Sequence, residues 1–264
     1  MTKPKAIIIT GATGGIGTAL VDLLLQLPDF SHCYLIASDT AQSLEKAQVQ
    51  TKSWPSRVIP VALDLTDHDA VRSLVSSIAQ DYDLIGLAHV AGVLVHGPVL
   101  ELDLREFDSL LSLNVTAMVH LYQAVAHAMV NQAQQTEGVD RSIVTVASNA
   151  ANGPRAHMAA YGASKAFAAH FTTSLGLELA PWRVRTNVVN PGTTLTPMVH
   201  TMWGGEDRTS ESIAGNPQLY RTGIPLGRVA DPADIAHPVA FLLSPAARHI
   251  NLAELTVDGG ATQR

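Results

Sequence analysis

Cysteine is almost absent: Cys33 is the only one in 264 residues. A lone thiol closes no intrachain disulfide and seeds no cysteine-based metal site. Aromatic residues make up only 5% and charged residues 15%. The formal charge is −6 at pH 7, so the basic excess that draws a chain to nucleic acid or to an anionic membrane surface is missing. Long hydrophobic runs are missing as well. The apolar run after Met1-Thr2-Lys3-Pro4-Lys5 is too short for a signal-peptide core. No stretch approaches the roughly 18 apolar residues of a membrane span. These absences predict a cytoplasmic protein with no nucleic-acid and no membrane partner. The 11 histidines include no HExxH motif and no carboxylate–histidine cluster at ligand spacing, so no metal is expected. His120 and His127 read as surface or packing positions of a helix.

What is present is apolar material in two rhythms. Hydrophobic residues are 47% of the chain, enough for a large core with no disorder signature. Short β-branched runs predict strands at Ala6–Thr10, Cys33–Ala37, Arg57–Ala62, Leu84–His89, Ser142–Ala147, Val184–Asn190 and Glu254–Asp258. Helical spacing predicts helices at Gly15–Leu27, Asp67–Gln80, Asp103–Leu113, Asn114–Asn131, Ala159–Leu179 and Pro232–Leu243. Gln132–Asp140 reads as a polar loop. Alternating strands and helices imply parallel strands with right-handed crossovers, an α/β doubly wound Rossmann-type sheet. No linker divides the chain, so residues 1–264 read as a single domain. The least regular segment, Thr193–Tyr220, follows strand six, where ligands of such sheets bind. It reads as a lid over that crevice, with an ordinary surface excursion as the alternative.

Thr10-Gly11-Ala12-Thr13-Gly14-Gly15-Ile16-Gly17 sits between the first strand and the first helix. Glycines there permit a tight turn and close approach of a pyrophosphate, while the helix N-terminus offers free N–H groups. A ligand-free tight turn is the bland alternative. Ser38 and Asp39 lie where the second strand should end near a ribose. A carboxylate at that point accepts from both ribose hydroxyls and repels a 2′-phosphate. With no Lys or Arg in the turn or just after Asp39, the expected cofactor is NAD rather than NADP. Asp64 and Leu65 follow the third strand. Asp64 either meets the adenine or caps the next turn.

Tyr161 and Lys165, four apart at the head of a long helix, share a face. A phenol with a pKa near 10 is a poor base at neutral pH, and an adjacent ammonium stabilises its phenolate. Tyr161 then takes an alcohol proton while hydride leaves the same carbon. With five tyrosines and five lysines, such a spacing arises by chance in roughly one chain in ten. Position makes it more specific. Ser148 falls 13 residues earlier, just past strand five, where its hydroxyl can hold the substrate oxygen. Asn114 opens the preceding helix, where it can hold a water that relays protons to Lys165. Alone, Ser148 is a turn residue and Asn114 a helix cap.

The Gly turn at 10–17, Asn114, Ser148, Tyr161-Gly-Ala-Ser-Lys165 and Pro191-Gly192 together resemble the short-chain dehydrogenase/reductase family over nearly the whole chain. The resemblance implies a Ser–Tyr–Lys–Asn active site, a seven-stranded sheet and a homotetramer. It implies cofactor contacts from Gly11, Thr13, Gly15, Ile16 and Gly17, and from Ala91 and Gly92 after strand four. Tyr161, Lys165, Pro191, Gly192 and Thr194 complete the implied cofactor set. One departure stands out: where the family has Asn-Asn-Ala-Gly, this chain has His89-Val90-Ala91-Gly92, which leaves the local hydrogen bonding open.

The runs 142–151, 153–158, 160–165, 174–180, 223–228 and 257–260 resemble a narrower branch whose substrate is a small cyclic dihydrodiol carboxylate. Such an acid needs a cation, and Arg155 is the candidate, because a guanidinium binds carboxylate bidentately. Its alternative is a solvated loop arginine. His157 and Met158 share that loop and are expected to line the pocket, with Met198 and Met202 closing it from the lid. Competing readings are a related amino-substituted cyclohexadiene acid, a 3-oxoacyl-carrier-protein substrate, or a non-catalytic dinucleotide sensor.

Overall fold

The structure is a computed structural model that describes residues 3–47, 53–136 and 138–262. Met1 and Thr2 of the N-terminal segment and Glu137 of the expected polar loop lie outside the described residues.

The strands are β1 (Lys5–Thr10), β2 (Cys33–Asp39), β3 (Val58–Ala62), β4 (Asp83–His89), β5 (Arg141–Val146), β6 (Val184–Pro191) and β7 (Glu254–Val257). They form one sheet in the order β3-β2-β1-β4-β5-β6-β7, with every pair parallel. Parallel strands covered on both faces are apolar throughout. β1 shows why: Ile7 and Ile9 enter one core cluster while Ala6 and Ile8 enter the other, the two-residue alternation of a strand sorting side chains between two faces.

The helices are α1 (Gly15–Gln26), α2 (Ala41–Lys46), α3 (His68–Asp81), α4 (Leu104–Leu111), α5 (Met118–Ala133), α6 (Ala159–Leu179), α7 (Pro197–Met202), α8 (Thr209–Ala214) and α9 (Pro232–Leu243). On one face Leu20, Val21 and Leu24 of α1 meet Ile235, Val239 and Ala240 of α9. On the other, Val71 and Val75 of α3, Leu121 and Val125 of α5, and Ala168 of α6 share a core. Chain order reverses between β1 and β4, so the crevice of a doubly wound sheet opens at their carboxyl ends.

Local chemistry fixes several boundaries. Asp67 is the N-cap of α3, accepting from the Ala70 N–H at 3.0 Å, and Asp103 caps α4 by accepting from the Arg105 N–H at 2.8 Å. Each therefore stands one residue outside the helix that the sequence spacing begins with it. α9 starts with Pro232 at its first turn and a reciprocal Asp231/Asp234 capping box. The α2 helix was not expected. It is short, and its one local signal is Thr40, whose hydroxyl accepts from the Ser43 N–H at 3.2 Å.

Three expectations are corrected. Asn114 does not open a helix. Ser112–Ala117 is a π-helical stretch that carries α4 into α5 without a break. The 193–220 segment is less irregular than its composition suggests, holding α7, α8 and a 3-10 turn at Pro217–Leu219. Gln132, expected in the polar loop, instead lies inside the last turn of α5 and is buried. Its carbonyl accepts from the Leu84 N–H at 2.9 Å, and its amide donates to the Tyr82 carbonyl at 2.8 Å.

Candidate active site

A cleft of about 880 Å³ lies along the carboxyl ends of β1, β2 and β4. The glycine turn forms its floor. Gly11 has φ +64°, and a Cβ there would sit 2.9 Å from the Ala91 backbone. A Cβ on Gly17 would fall 2.0 Å from the Gly11 carbonyl oxygen, so neither position tolerates a side chain. The N-terminus of α1 has no side-chain cap and no acidic residue in its first turn. Its free N–H groups and positive dipole end therefore face the cleft, and a dinucleotide pyrophosphate fits there. Thr13, Gly15, Ile16, Asp64, Leu65, Ala91 and Gly92 line the same space.

Asp39 also lines the cleft, and it braces the turn. One carboxylate oxygen accepts from the Thr13 N–H at 3.0 Å and its hydroxyl at 2.7 Å, and the other accepts from the Thr40 N–H at 2.8 Å. Asp64 caps its own turn, accepting from the Thr66 N–H at 2.9 Å and hydroxyl at 2.7 Å. The Thr66 hydroxyl bond, then the backbone bond, hold its carboxyl below the usual range. Asp64 thus caps its turn while lining the cleft. Lys46, which sequence reasoning passed over, lines the cleft from α2.

His89 resolves the departure from the family's Asn pair. Its Nδ1 lies 2.9 Å from the Thr10 hydroxyl oxygen, which in turn accepts from the Val90 and Ala91 N–H groups at 3.2 and 3.3 Å. The ring meets Tyr122 edge-on at 5.5 Å. Burial first, and the Lys165 charge second, push its pKa down to about 3, so the imidazole is neutral.

Deeper in, helix α6 presents Tyr161 and Lys165 on one face. Both are buried. The Lys165 ammonium donates to the Val146 carbonyl at the end of β5 at 3.0 Å, and lies 5.9 Å from the Tyr161 ring centre. A Cβ on Gly92 would come 3.2 Å from that ammonium, so Lys165 reaches the wall of the dinucleotide cleft. Burial lowers its pKa to about 8. Ser148, just past β5, accepts from the Ala150 N–H at 3.1 Å and hydrogen-bonds the Tyr161 phenol. Burial raises the Tyr161 pKa to about 12, against the Ser148 hydrogen bond and the Arg155 charge. In the protein alone, then, burial outweighs stabilisation of the phenolate, and Arg155 adds a second cation to the Lys165 ammonium near the phenol.

Asn114 uses its amide to hold backbone. Its carbonyl accepts from the Val93 N–H at 2.9 Å, and its NH₂ donates to the Val93 carbonyl at 2.9 Å and to the Ser164 hydroxyl at 3.1 Å. The π-helical stretch places this side chain between the Gly92–Val93 loop and α6, a use typical of such bulges.

A second cavity, of about 390 Å³, begins at Asn149, the residue after Ser148, and is lined by Arg155, Thr193, Ser212, Arg221 and Thr262 among others, but not by Ser148 or Tyr161 themselves. Arg155, the residue expected to meet a carboxylate, faces this cavity. Met158 packs in the cluster that contains Tyr161 and Leu110. His157 has φ +65° and contacts His96 edge-on at 5.8 Å. Met198 lines the dinucleotide cleft rather than this cavity, and Met202 lines neither. Pro191, Gly192 and Thr194, expected to contact the cofactor, line neither space, although Thr193 lines the cavity and Thr196 the cleft. The Gly192 N–H donates to the Val257 carbonyl at 2.9 Å, and the Thr194 hydroxyl donates to the Gly192 carbonyl at 3.1 Å. Among the described residues, no group of three or more His, Cys, Asp or Glu is arranged to hold a metal ion, and no helix is long and apolar enough to cross a membrane.

Known proteins resemble this chain over nearly their whole length. The chain is 38% identical to 2,3-dihydro-2,3-dihydroxybenzoate dehydrogenase of Bacillus subtilis, over 98% of this chain and 96% of that protein. It is 36% identical to the vibriobactin-specific 2,3-dihydro-2,3-dihydroxybenzoate dehydrogenase of Vibrio cholerae, over 97% and 95%. A crystal structure of 3-ketoacyl-(acyl-carrier-protein) reductase from Brucella melitensis complexed with NADH superposes with a TM-score of 0.81 at 25% identity, covering 98% of this chain and 99% of that one. Residues 5–207 match the family described as short chain dehydrogenase, and the chain belongs to that family of oxidoreductases.

Proposed function

We propose that the protein oxidises 2,3-dihydro-2,3-dihydroxybenzoate to 2,3-dihydroxybenzoate with NAD, the step that supplies the catechol acid of catecholate siderophores. The observation that carries this reading is the placement of Arg155: it lines the cavity that begins at Asn149, and its charge acts on the Tyr161 phenol. A cation there suits an acid whose alcohol is to meet that phenol. The two dihydroxybenzoate-forming relatives support the same substrate.

The family uses NAD or NADP; when bound, the nicotinamide supplies the hydride acceptor. Ser148 holds the substrate hydroxyl against Tyr161. Tyr161 takes the hydroxyl proton as the carbinol carbon gives up hydride, and the resulting ketone tautomerises to the aromatic catechol. Lys165 keeps a positive charge beside the phenol below about pH 8, given its lowered pKa. Asn114 positions the Gly92–Val93 loop beside Lys165. Segment 193–220 serves as the lid, since α7 reaches the dinucleotide cleft through Pro197 and α8 reaches the cavity through Ser212. Asp39 favours NAD by standing where a 2′-phosphate would be repelled. A homotetramer in the cytoplasm is the assembly and location the family resemblance implies.

The test is to supply the dihydrodiol acid with NAD and follow NADH and catechol together. Equal amounts of both are expected. Tyr161→Phe should cut kcat by about 10²–10⁴-fold with NAD affinity kept. Turnover of a dihydro-3-hydroxyanthranilate at higher kcat/KM would move the assignment to the amino-substituted acid. Reduction of a 3-oxoacyl thioester with no oxidation of the diol acid would replace it with a carrier-protein reductase. No turnover of any of these, with NAD still bound, would leave a dinucleotide sensor.

A further inference from the structure

The cavity that begins at Asn149 holds two arginines, of which sequence reasoning found one. Arg155 comes from the loop before α6. Arg221 directly follows the 193–220 segment and is hydrogen-bonded back to it through Asn216, and both arginines line the same space of about 390 Å³. Both are half-buried. Elsewhere in the chain, partly or fully buried arginines are matched: Arg141 with Asp83, Arg185 with Asp140, and Arg57 with three backbone carbonyls. Arg155 and Arg221 form no ion pair among the described residues.

The carboxylate whose attraction reaches Arg155 is Asp258, and that group is already engaged. It accepts from the Asn149 amide at 3.0 Å, from the Gly260 N–H at 2.9 Å, and from the Thr262 N–H and hydroxyl. Burial lowers the pKa of both guanidinium groups, and the Arg221 charge adds to the effect on Arg155. Two like charges facing one cavity are repulsive until an anion enters between them.

The backbone fixes Arg221 in place. Arg221 and Asn216 exchange paired N–H···O bonds of 2.9 Å each, closing a small loop around the Pro217–Leu219 turn. Gly215, at φ +81°, lets that loop fold back: a Cβ there would come 2.7 Å from the Arg221 carbonyl oxygen. The guanidinium is thus carried on a braced hairpin, in contrast to a solvated side chain on a loose loop.

We propose that Arg221 is a second carboxylate-binding residue, which with Arg155 clamps the acid group of the substrate from opposite sides of this cavity. The proposal rests on the reading that the substrate is a carboxylic acid. It makes the lid segment part of substrate recognition, because one half of the clamp is hydrogen-bonded back to it. It also explains how an acid would be chosen over a neutral ring diol of the same shape, since a bidentate charged pair is lost with the carboxylate.

Calorimetric titration of the NAD-loaded protein tests it, with 2,3-dihydroxybenzoate and benzoate as acid probes and catechol as the neutral one. Arg221→Gln should weaken both acids by about tenfold or more, the loss of one charge-assisted pair, with catechol and NAD binding unchanged. Arg221→Lys should recover part of the loss, and Arg155→Gln should match the Arg221→Gln defect. Acid affinity in Arg221→Gln equal to wild type, or equal weakening of acid and catechol, would overturn the proposal. Failure of the wild type to bind either acid would overturn it as well. If the wild type binds the acids through Arg221 yet does not oxidise the dihydrodiol acid, the clamp stands and the proposed reaction falls.

Discussion

His89 carries a sharp pH expectation at the scale of single residues. Its folded value of about 3 lies below the ordinary 6.5. Between those limits the unfolded chain takes up a proton that the folded chain refuses, so stability is full above the upper limit and falls as pH drops through the window. At about pH 5 the loss should be about 2 kcal/mol relative to neutral. His89→Asn should remove that slope. Urea unfolding of both proteins at neutral and acid pH checks it, and identical slopes would show that the imidazole is not the group responsible. The Tyr161–Lys165 pair was legible in the sequence because both residues lie on one helix, where a fixed spacing becomes a shared face. Ser148 was legible because a strand end fixed its place. Arg221 was not. It lies 60 residues after Tyr161, and it reaches the cavity through the Asn216–Arg221 pairing, which leaves no periodic trace. The field of Arg155 on Tyr161 likewise depends on a tertiary approach that spacing does not encode.

At the scale of elements, helices α6 and α9 have the bounds their patterns suggested, because Pro232 and the capping carboxylates mark one start and a long uninterrupted run marks the other. The join between α4 and α5 was misread. A π-helical stretch has no compositional mark of its own, and an Asn at such a point looks like a cap. Two strands are tied together at their starts by a pair the sequence did not reveal. Asp83 opens β4, Arg141 opens β5, and their 2.6 Å ion pair has a fully buried guanidinium. Arg141 also donates to the Thr136 hydroxyl at 3.1 Å. Removing one partner leaves an uncompensated charge in a dry place. Asp83→Asn should therefore cost about 3 kcal/mol in denaturant unfolding, while the turnover of the molecules that remain folded is unaffected. A loss under about 1 kcal/mol would class the pair with exposed ion pairs.

The two ends of the sheet differ across the whole molecule. The ion pairs of Arg141 and Arg185 gather at the amino ends of β5 and β6, whereas both clefts open at the carboxyl ends. Doubly wound topology was legible because alternating strands and helices allow few alternatives; of the residues that line the clefts, the glycine turn, Asp39 and Arg155 were legible. Cofactor choice is a property of this whole carboxyl-end surface, since Asp39 and Lys46 line the same space with opposite charge. Melting curves decide between them. NAD at a hundredfold excess over its Kd adds about 2.7 kcal/mol, a rise of about 5–10 °C for a domain of this size. NADP at equal concentration should raise the midpoint less. Equal shifts would show that Lys46, not Asp39, governs the ribose end.

The Asp83–Arg141 pair has a consequence for anyone reading the protein through genetics. It lies at the amino ends of two central strands, away from the clefts, yet its loss would deplete the folded enzyme in the cell. A growth screen would then score Asp83 beside Tyr161 as indispensable. Only activity counted per folded molecule would separate the residue proposed to take the alcohol proton from the one that keeps the enzyme in supply.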